Sequence, residues 1–194
     1  MKYFKPKFWD NKNNVLSFIL RPISHLFHWL TILRKVLISS KKFEIPIICV
    51  GNIYLGGTGK TPLSIEIASA LKIRGKNPVI VKKFYKTHED EHKLIKNKIS
   101  SLIINKNRSQ AIESAEKKNF NVAILDDGFQ DHKIKKDVSI ICFNSNQLIG
   151  NGLLLPAGPL REGLDSIKRS KIIVINGKKN KEFEDNILKI SKNI

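Results

Sequence analysis

A glycine-rich turn between an apolar run and a Lys-Thr pair constrains this chain more than any other feature. Residues 45–50 read Ile-Pro-Ile-Ile-Cys-Val, and Gly-Gly-Thr-Gly-Lys-Thr occupies residues 56–61. An apolar run, a glycine-rich turn and an amphipathic run predict a buried strand followed by a helix. Glycines let backbone N–H groups converge on an anion, and the positive end of the helix adds attraction. The pattern therefore predicts a phosphate-binding loop.

The loop predicts a nucleotide site in which each residue type has a role. Lys60 would reach the β- and γ-phosphates, and the Thr61 hydroxyl would hold Mg²⁺. Tyr54 stands where the strict pattern has its first glycine, so a strand-to-helix turn that contains Lys-Thr by chance is the alternative. The predicted nucleotide-binding residues are Gly56, Gly57, Thr58, Gly59, Lys60 and Thr61.

Two aspartates supply the acidic half that a Mg²⁺-nucleotide site needs. Residues 122–125 are Val-Ala-Ile-Leu, and Asp126 and Asp127 follow directly. Ligands of open α/β sheets gather at the carboxyl ends of the strands, where carboxylates can meet Mg²⁺ and phosphate oxygens. We therefore expect Thr61, Asp126 and Asp127 to form the metal site. A polar turn that ends a strand is the alternative, since Asp-Gly is a common turn pair.

Strand and helix patterns alternate after residue 45. Continuous Val/Ile/Leu runs between helical segments predict an α/β fold of the P-loop NTPase type, with a mostly parallel sheet and helices on both faces. Strands are predicted at 45–50, 78–84, 101–105, 120–125, 138–143 and 171–176. Helices are predicted at 60–74, near 90–98, at 108–118 with Asn107 as cap, near 163–169 and at 182–192.

The first 44 residues differ in character from residues 45–194, which form the predicted nucleotide-binding domain. They hold nine lysines and arginines against two acidic residues, a net charge of +7. Apolar residues keep helical spacing after Pro22, whereas Arg21 and the Arg34-Lys35 pair interrupt the apolar stretch that a spanning helix needs. We expect a basic amphipathic helix that lies on an anionic membrane surface. Packing of the stripe against the domain core is the alternative.

Composition limits the partners of the chain. The 194 residues carry a formal net charge of +18, which favours an anionic partner but also fits a Lys-rich composition. No interleaved aromatic-basic sheet motif or reading helix is visible, so we expect no nucleic-acid partner. Cys49 and Cys142 lie within apolar runs and are predicted to be buried thiols of a reducing compartment. The histidines and cysteines lack metal-ligand spacing, so no metal cluster is expected.

Five segments together resemble one family, the tetraacyldisaccharide 4′-kinases, which phosphorylate the disaccharide precursor of lipid A. The resemblance runs from about residue 8 to residue 177. The segments are Val50-Gly51-Asn52, residues 56–62, Asp126-Asp127-Gly128-Phe129-Gln130, Gly150-Asn151-Gly152 and residues 155–162 (Leu-Pro-Ala-Gly-Pro-Leu-Arg-Glu).

The resemblance implies ATP-dependent transfer of the γ-phosphoryl group, with Mg²⁺, to a sugar hydroxyl of a lipid disaccharide. It implies a peripheral location on the cytoplasmic face of the bacterial inner membrane. The matching acidic segment gives Asp90 as the base for the incoming hydroxyl and Glu91 as its neighbour. Together with Lys60, these two residues form the implied catalytic set. Gln130, Arg161 and Glu162 are the implied substrate-side residues.

The chain departs from the family pattern in ways that leave a second function open. Lys82-Lys83-Phe84 replaces the family's Ser-Arg-Gly, and Asp131 stands where the family has His. The sequence ends at Ile194, whereas the family continues into a second lobe that closes the cleft, so we expect that lobe to be lacking. The alternative function is a non-catalytic remnant that binds nucleotide through the phosphate loop.

Overall fold

Strands and helices alternate from residue 47 onward in the computed structural model of the protein, which describes residues 5–84, 95 and 101–191. The strands are β1 (Ile47–Gly51), β2 (Pro78–Lys83), β3 (Leu102–Asn105), β4 (Val122–Asp126), β5 (Val138–Asn144) and β6 (Ile172–Asn176). The α-helices are α1 (Val15–Leu37), α2 (Lys60–Ile73), α3 (Arg108–Lys117) and α4 (Lys181–Ile190). Short 3₁₀ helices span Lys7–Asp10 and Leu164–Arg169.

The six strands form one sheet in the order β3-β2-β4-β1-β5-β6. The pairs β1–β4, β2–β3 and β2–β4 are parallel. The predicted α/β fold with a mostly parallel sheet is confirmed, and the predicted elements that fall on described residues occur within about two residues of their expected bounds. The helix predicted near 90–98 lies outside the described residues apart from its position 95.

Two compact units make up the chain. The central unit contains residues Ser39–Gly51 and Gly59–Ile140, and the terminal unit contains Met1–Ile38, Asn52–Thr58 and Ile141–Ile194. Strands β1 to β4 and helices α2 and α3 belong to the central unit, whereas α1, β6 and α4 belong to the terminal unit.

Local signals set the ends of the central unit's helices. Gly75 adopts φ +72° after α2, and its N–H donates to the Lys72 carbonyl, while the Lys76 N–H donates to the Leu71 carbonyl. These two bonds form the glycine-terminated helix end known as a Schellman motif. At the start of α3, the Asn107 side chain accepts a hydrogen bond from the Ser109 N–H, as expected for an N-cap.

The central unit's core is formed by its strands and the inner faces of two helices. Helix α2 packs on β1, β2 and β4, and α3 packs on β2 and β3. Most of the side chains of β2 and β4 are buried, as the continuous apolar runs predict for strands covered by other elements. The packing therefore fixes the carboxyl ends of these strands beside the start of α2.

Helix α1 in the terminal unit begins before Pro22, earlier than the spacing after that proline indicates. The Asn14 side chain accepts a hydrogen bond from the Leu16 N–H and caps the helix at Val15. Pro22 is accommodated inside the helix, where it removes one backbone donor. The result is a helix of 23 residues whose length and hydropathy satisfy the requirements of a membrane span, although Arg21 interrupts it.

The polar face of α1 is the buried one. Only Ser17 and Ser24 are buried in the helix, and they lie seven residues apart on one face. The exposed large apolar side chains are Val15, Leu16, Phe18, Ile19, Ile23, Leu26, Phe27, Trp29, Leu30, Ile32, Leu33, Val36 and Leu37. The alternative that the apolar stripe packs into the core of the domain is therefore wrong for this structure.

Hydrogen bonds anchor α1 to the segment after β5. The Ser24 Oγ donates to the Leu154 carbonyl at 2.9 Å and accepts from the Ala157 N–H at 3.0 Å. The buried Asn151 Nδ2 donates to the Ser17 Oγ at 3.2 Å and to the Ala157 carbonyl at 3.0 Å. Because buried polar groups cost free energy unless they are paired, this network fixes the position of the helix within the unit.

Both cysteine thiols are shielded in the folded protein, as the sequence predicts. Cys49 on β1 and Cys142 on β5 are not joined in a disulfide, and neither has appreciable exposed surface. Burial raises the pKa of the Cys49 thiol to about 11, although the Lys136 and Arg108 charges act in the opposite direction. The thiol therefore remains protonated near neutral pH.

We predict that neither cysteine reacts with a thiol-specific disulfide reagent in the native protein at pH 7.5. The physical reason is that both sulfurs are inaccessible and that the raised pKa of the Cys49 thiol disfavours its reactive thiolate. Absorbance of the released thiol measures the reaction, and both cysteines should react after unfolding in guanidinium. Rapid reaction of either cysteine under native conditions would contradict the packing of β1 or β5.

Candidate nucleotide-binding site

The centre of the candidate site is the carboxyl end of β4, which lies between β1 and β2 in the sheet. Asp126, the last residue of β4, pairs with Val50 of β1 on one side and with Lys82 of β2 on the other. In a parallel sheet these positions share one edge, so the ends of β1 and β2 lie on either side of the end of β4. Within the central unit, the first residues of α2 and the acidic pair therefore lie together at this edge.

Asp126 is fully buried and binds two side chains through one oxygen. Its Oδ2 accepts a hydrogen bond from the Thr61 hydroxyl at 2.9 Å and another from the Lys82 ammonium at 2.6 Å. The Lys82 Nζ also lies 3.5 Å from the Thr61 Oγ1. A hydroxyl, a carboxylate and a buried ammonium therefore meet at one point.

Lys60 and Asp127 extend this cluster toward solvent. The Lys60 Nζ lies 3.9 Å from the Asp127 Oδ1, and both side chains are mostly buried. Asp127 adopts φ +59°, a left-handed conformation that aspartate tolerates better than most residues. Gly59, which precedes α2, adopts φ +87°, a conformation that favours glycine. The left-handed backbone conformations at Asp127 and Gly59 thus favour the residue types found there.

The first half of the phosphate loop belongs to the terminal unit and is held by an asparagine. The buried Asn52 Nδ2 donates to the Gly56 carbonyl at 3.2 Å and to the Thr58 Oγ1 at 3.1 Å. Gly56 adopts φ +150°, and a Cβ on Gly57 would meet no atom within 4 Å. Asn52 therefore braces the turn from within, while its two glycines remain exposed.

Two glycines of the central unit allow close packing around the acidic pair. A Cβ at Gly51 would lie 2.5 Å from the Phe129 Cβ, and a Cβ at Gly128 would lie 2.8 Å from the Leu125 Cβ. Neither position accepts a larger residue without movement of the backbone. The glycines therefore let the turn after β4 lie against the end of β1.

Arg108 is part of the site that sequence reasoning missed. Its buried guanidinium donates from Nη2 to the Asp127 carbonyl at 2.7 Å and pairs through Nη1 with the Asp131 carboxylate at 3.4 Å. A cation in the first turn of a helix opposes the helix dipole, so an arginine at the start of α3 signals a separate role. That role is to hold the turn that carries Asp127.

Comparison with known proteins shows the family of this sequence. The family model for tetraacyldisaccharide-1-P 4′-kinase, LpxK, matches residues 16–193. The chain belongs to this family. A curated tetraacyldisaccharide 4′-kinase of Pelagibacter ubique (strain HTCC1062) is 42% identical over 200 residues, which cover 100% of this chain and 62% of that relative.

Solved structures agree on the fold. LpxK from Aquifex aeolicus, solved in complex with ATP, has a TM-score of 0.71 at 29% identity and covers 83% of this chain and 59% of that chain. The signal recognition particle 54 kDa protein of Aeropyrum pernix, in complex with GDP, has a TM-score of 0.53 at 12% identity, which shows the fold alone. The chain thus spans roughly three fifths of the length of these two tetraacyldisaccharide 4′-kinases.

The residues that the family resemblance assigns to the acceptor substrate are distributed between the units. Gln130 is half-buried in the central unit, and Arg161 is half-buried in the terminal unit, where its N–H donates to the Ile53 carbonyl at 2.7 Å. Glu162 is buried and forms an ion pair with Arg169, so an internal partner holds the carboxylate that we expected on the substrate side. Asp90 and Glu91 lie outside the described residues.

The donor set at the end of β4 fits Mg²⁺. Thr61 and Asp126 offer a hydroxyl and a carboxylate, the oxygen ligands that Mg²⁺ prefers. The Asp126 Oδ1 is buried and has no hydrogen-bond partner among the residues that the structure describes. A buried carboxylate oxygen without a partner is costly, so it can gain a ligand at this point. Asp127 lies next in the chain, and its role in metal binding stays a prediction.

We predict that Asp126→Asn lowers the free energy of unfolding by about 3–5 kcal/mol, because it removes the charge that faces the buried Lys82 ammonium. Urea denaturation followed by circular dichroism measures the change. Asp165→Asn is the matched control, since Asp165 forms an exposed pair with Lys168 and should change the stability little. Equal effects of the two substitutions would argue against a buried ion pair.

Proposed function

We propose that this chain binds ATP with Mg²⁺ and transfers the γ-phosphoryl group to the 4′-hydroxyl of the tetraacyldisaccharide 1-phosphate precursor of lipid A. The observation that carries the proposal is the convergence of Lys60, Thr61, Asp126 and Asp127 in the central unit. Family membership supports the reaction, and the ATP complex of the Aquifex relative supports the nucleotide.

The side chains at the start of α2 are suited to a polyphosphate. Lys60 would contact the β- and γ-phosphates, and the first backbone N–H groups of α2 present the positive end of the helix dipole. Thr61 and Asp126, with Asp127, would hold Mg²⁺. When bound, the metal would neutralise phosphate charge during transfer. Since phosphoryl transfer depends mainly on positioning and charge neutralisation, these residues would provide most of the catalysis.

The acceptor side of the reaction rests on the family resemblance. We propose Asp90 as the base that accepts the proton of the sugar hydroxyl and Glu91 as its neighbour. Arg161 would bind an anionic group of the lipid substrate through its planar guanidinium, and Gln130 would donate or accept a hydrogen bond there. Glu162, which is paired with Arg169, would position this segment through its neighbour Arg161.

Helix α1 is proposed to place the protein on the cytoplasmic face of the inner membrane. Its apolar side chains form a surface whose exposure to water is energetically unfavourable. Exposed apolar areas of this kind mark membrane or protein contacts. Arg21, Arg34 and Lys35 would lie among anionic lipid headgroups. A peripheral helix that keeps these cations at the interface accounts for both features, and residues 1–44 would thus form the membrane-associated part.

The decisive experiment incubates the chain with γ-labelled ATP, Mg²⁺ and the acylated disaccharide 1-phosphate in detergent micelles. Thin-layer chromatography would show label in the lipid if the kinase proposal is correct. ATP binding without transfer would favour the non-catalytic alternative, for which the buried contact of Lys82 with Asp126 is the structural argument. Failure to bind ATP would overturn both.

We predict that Lys60→Ala weakens ATP binding by about a hundredfold, because a charge-assisted contact with the phosphates is lost. Isothermal titration calorimetry measures the dissociation constant. Lys72→Ala, which removes an exposed lysine from the last turn of the same helix, should leave the affinity nearly unchanged. Unchanged affinity in Lys60→Ala would show that the loop does not bind the phosphates.

We predict that Trp29→Glu lowers binding to vesicles with anionic lipids by about tenfold, because it puts a charge on the apolar surface of α1 and removes an interfacial aromatic ring. Sedimentation with vesicles measures the bound fraction. Ile73→Glu is the control, since Ile73 is an exposed apolar residue at the end of α2. An equal loss in both variants would indicate an effect of net charge alone.

A further inference from the structure

A lysine ammonium already contacts both residues of the expected metal pair. Lys82 is only 4% exposed, and its Nζ lies 2.6 Å from the Asp126 Oδ2 and 3.5 Å from the Thr61 Oγ1. The Thr61 hydroxyl and the same carboxylate oxygen are 2.9 Å apart. A positive charge therefore lies where the hydroxyl and the carboxylate converge.

The backbone holds Lys82 at this position. Lys82 and Asp126 are register partners in the parallel pair of β2 and β4, so their side chains leave the sheet side by side. Val81 and Leu125, which precede Lys82 and Asp126 in the two strands, are also buried. Movement of the ammonium away from Asp126 would leave a buried carboxylate without a counter-charge, which is costly. The contact is thus a built part of the site.

A metal ion that bound the second oxygen of Asp126 would compete with the Lys82 ammonium for the same carboxylate. Asp126 Oδ1 is buried and lacks a hydrogen-bond partner within the described part of the chain, whereas Oδ2 carries both bonds. A divalent ion on this carboxylate would share it with a like charge only a few ångströms away. Like charges at such distances in a water-poor site repel each other strongly.

We propose that Lys82 is a resident cation of the Thr61–Asp126 pair, which weakens Mg²⁺ binding there and makes nucleotide binding only weakly dependent on Mg²⁺. The ammonium supplies part of the positive charge that a polyphosphate needs, and it discourages a second cation at the same carboxylate. The proposal rests on the proposed function, because it takes Thr61 and Asp126 as the metal pair of a nucleotide site.

The experiment compares the parent chain with Lys82→Met, which keeps the length of the buried side chain and removes its charge. Lys72→Met makes the same chemical change at an exposed position of α2 and serves as control. Calorimetry gives the ATP dissociation constant in excess Mg²⁺ and in EDTA. A second arm measures the unfolding temperature with MgCl₂ alone, because an ion that binds only the native state raises it.

We expect the ATP dissociation constant of the parent and of Lys72→Met to differ by less than about threefold between Mg²⁺ and EDTA. Lys82→Met should bind ATP at least about tenfold more tightly with Mg²⁺ than without it, because the competing charge has been removed. MgCl₂ alone should raise the unfolding temperature of Lys82→Met more than that of the parent.

Equal Mg²⁺ dependence in the parent and in Lys82→Met overturns the proposal, whatever its size. A dependence of about tenfold or more in the parent overturns it without any variant. Lys82→Ser, the residue of the family pattern, replaces Lys82→Met if the latter does not unfold cooperatively. Absence of ATP binding in the parent under both conditions refutes the proposed function instead, and the MgCl₂ arm then still decides whether Lys82 weakens Mg²⁺ binding.

Discussion

The central unit depends on the hydrogen bonds and the ion pair that the Asp126 carboxylate forms. The carboxylate joins the end of β4 to the start of α2 through Thr61 and to the end of β2 through Lys82. These three elements are separated in sequence, yet the parallel register brings their ends to one edge of the sheet. A charged group without exposed surface needs such partners, so the fold and the chemistry of the site share one requirement.

The secondary structure could be predicted from the sequence because helix caps and apolar runs act over a few neighbouring residues. Gly75 ends α2 and Asn107 begins α3 because each residue acts on backbone groups only a few positions away. Uninterrupted apolar runs indicated buried strands for the same reason: the pattern needs no knowledge of the neighbouring strand. The turn before α2 and the position of the acidic pair at the end of β4 were predictable for the same reason, since a strand pattern precedes each of them. The roles of these residues in nucleotide and metal binding stay predictions.

Contacts that depend on strand pairing and register could not be predicted from the sequence. A strand pattern assigns Lys82 a face of the sheet, but the residue opposite it depends on which strand pairs with β2 and in what register. Arg108 resembled an ordinary first residue of a helix, although its position against the dipole was a signal. For α1, periodicity gave the apolar face, whereas the serine-lined packing face followed from partners more than a hundred residues away.

The serine contacts of α1 have a consequence for how the terminal unit can meet a lipid surface. Ser17 and Ser24 bond to the segment around Asn151 and Ala157, so the rotation of the helix about its own axis is fixed before any encounter. The apolar side chains consequently need no repacking to become available. The helix is already ordered in the folded chain, so adsorption to a bilayer would not carry the ordering cost that a free peptide meets. A bilayer would encounter the helix in a single rotational setting.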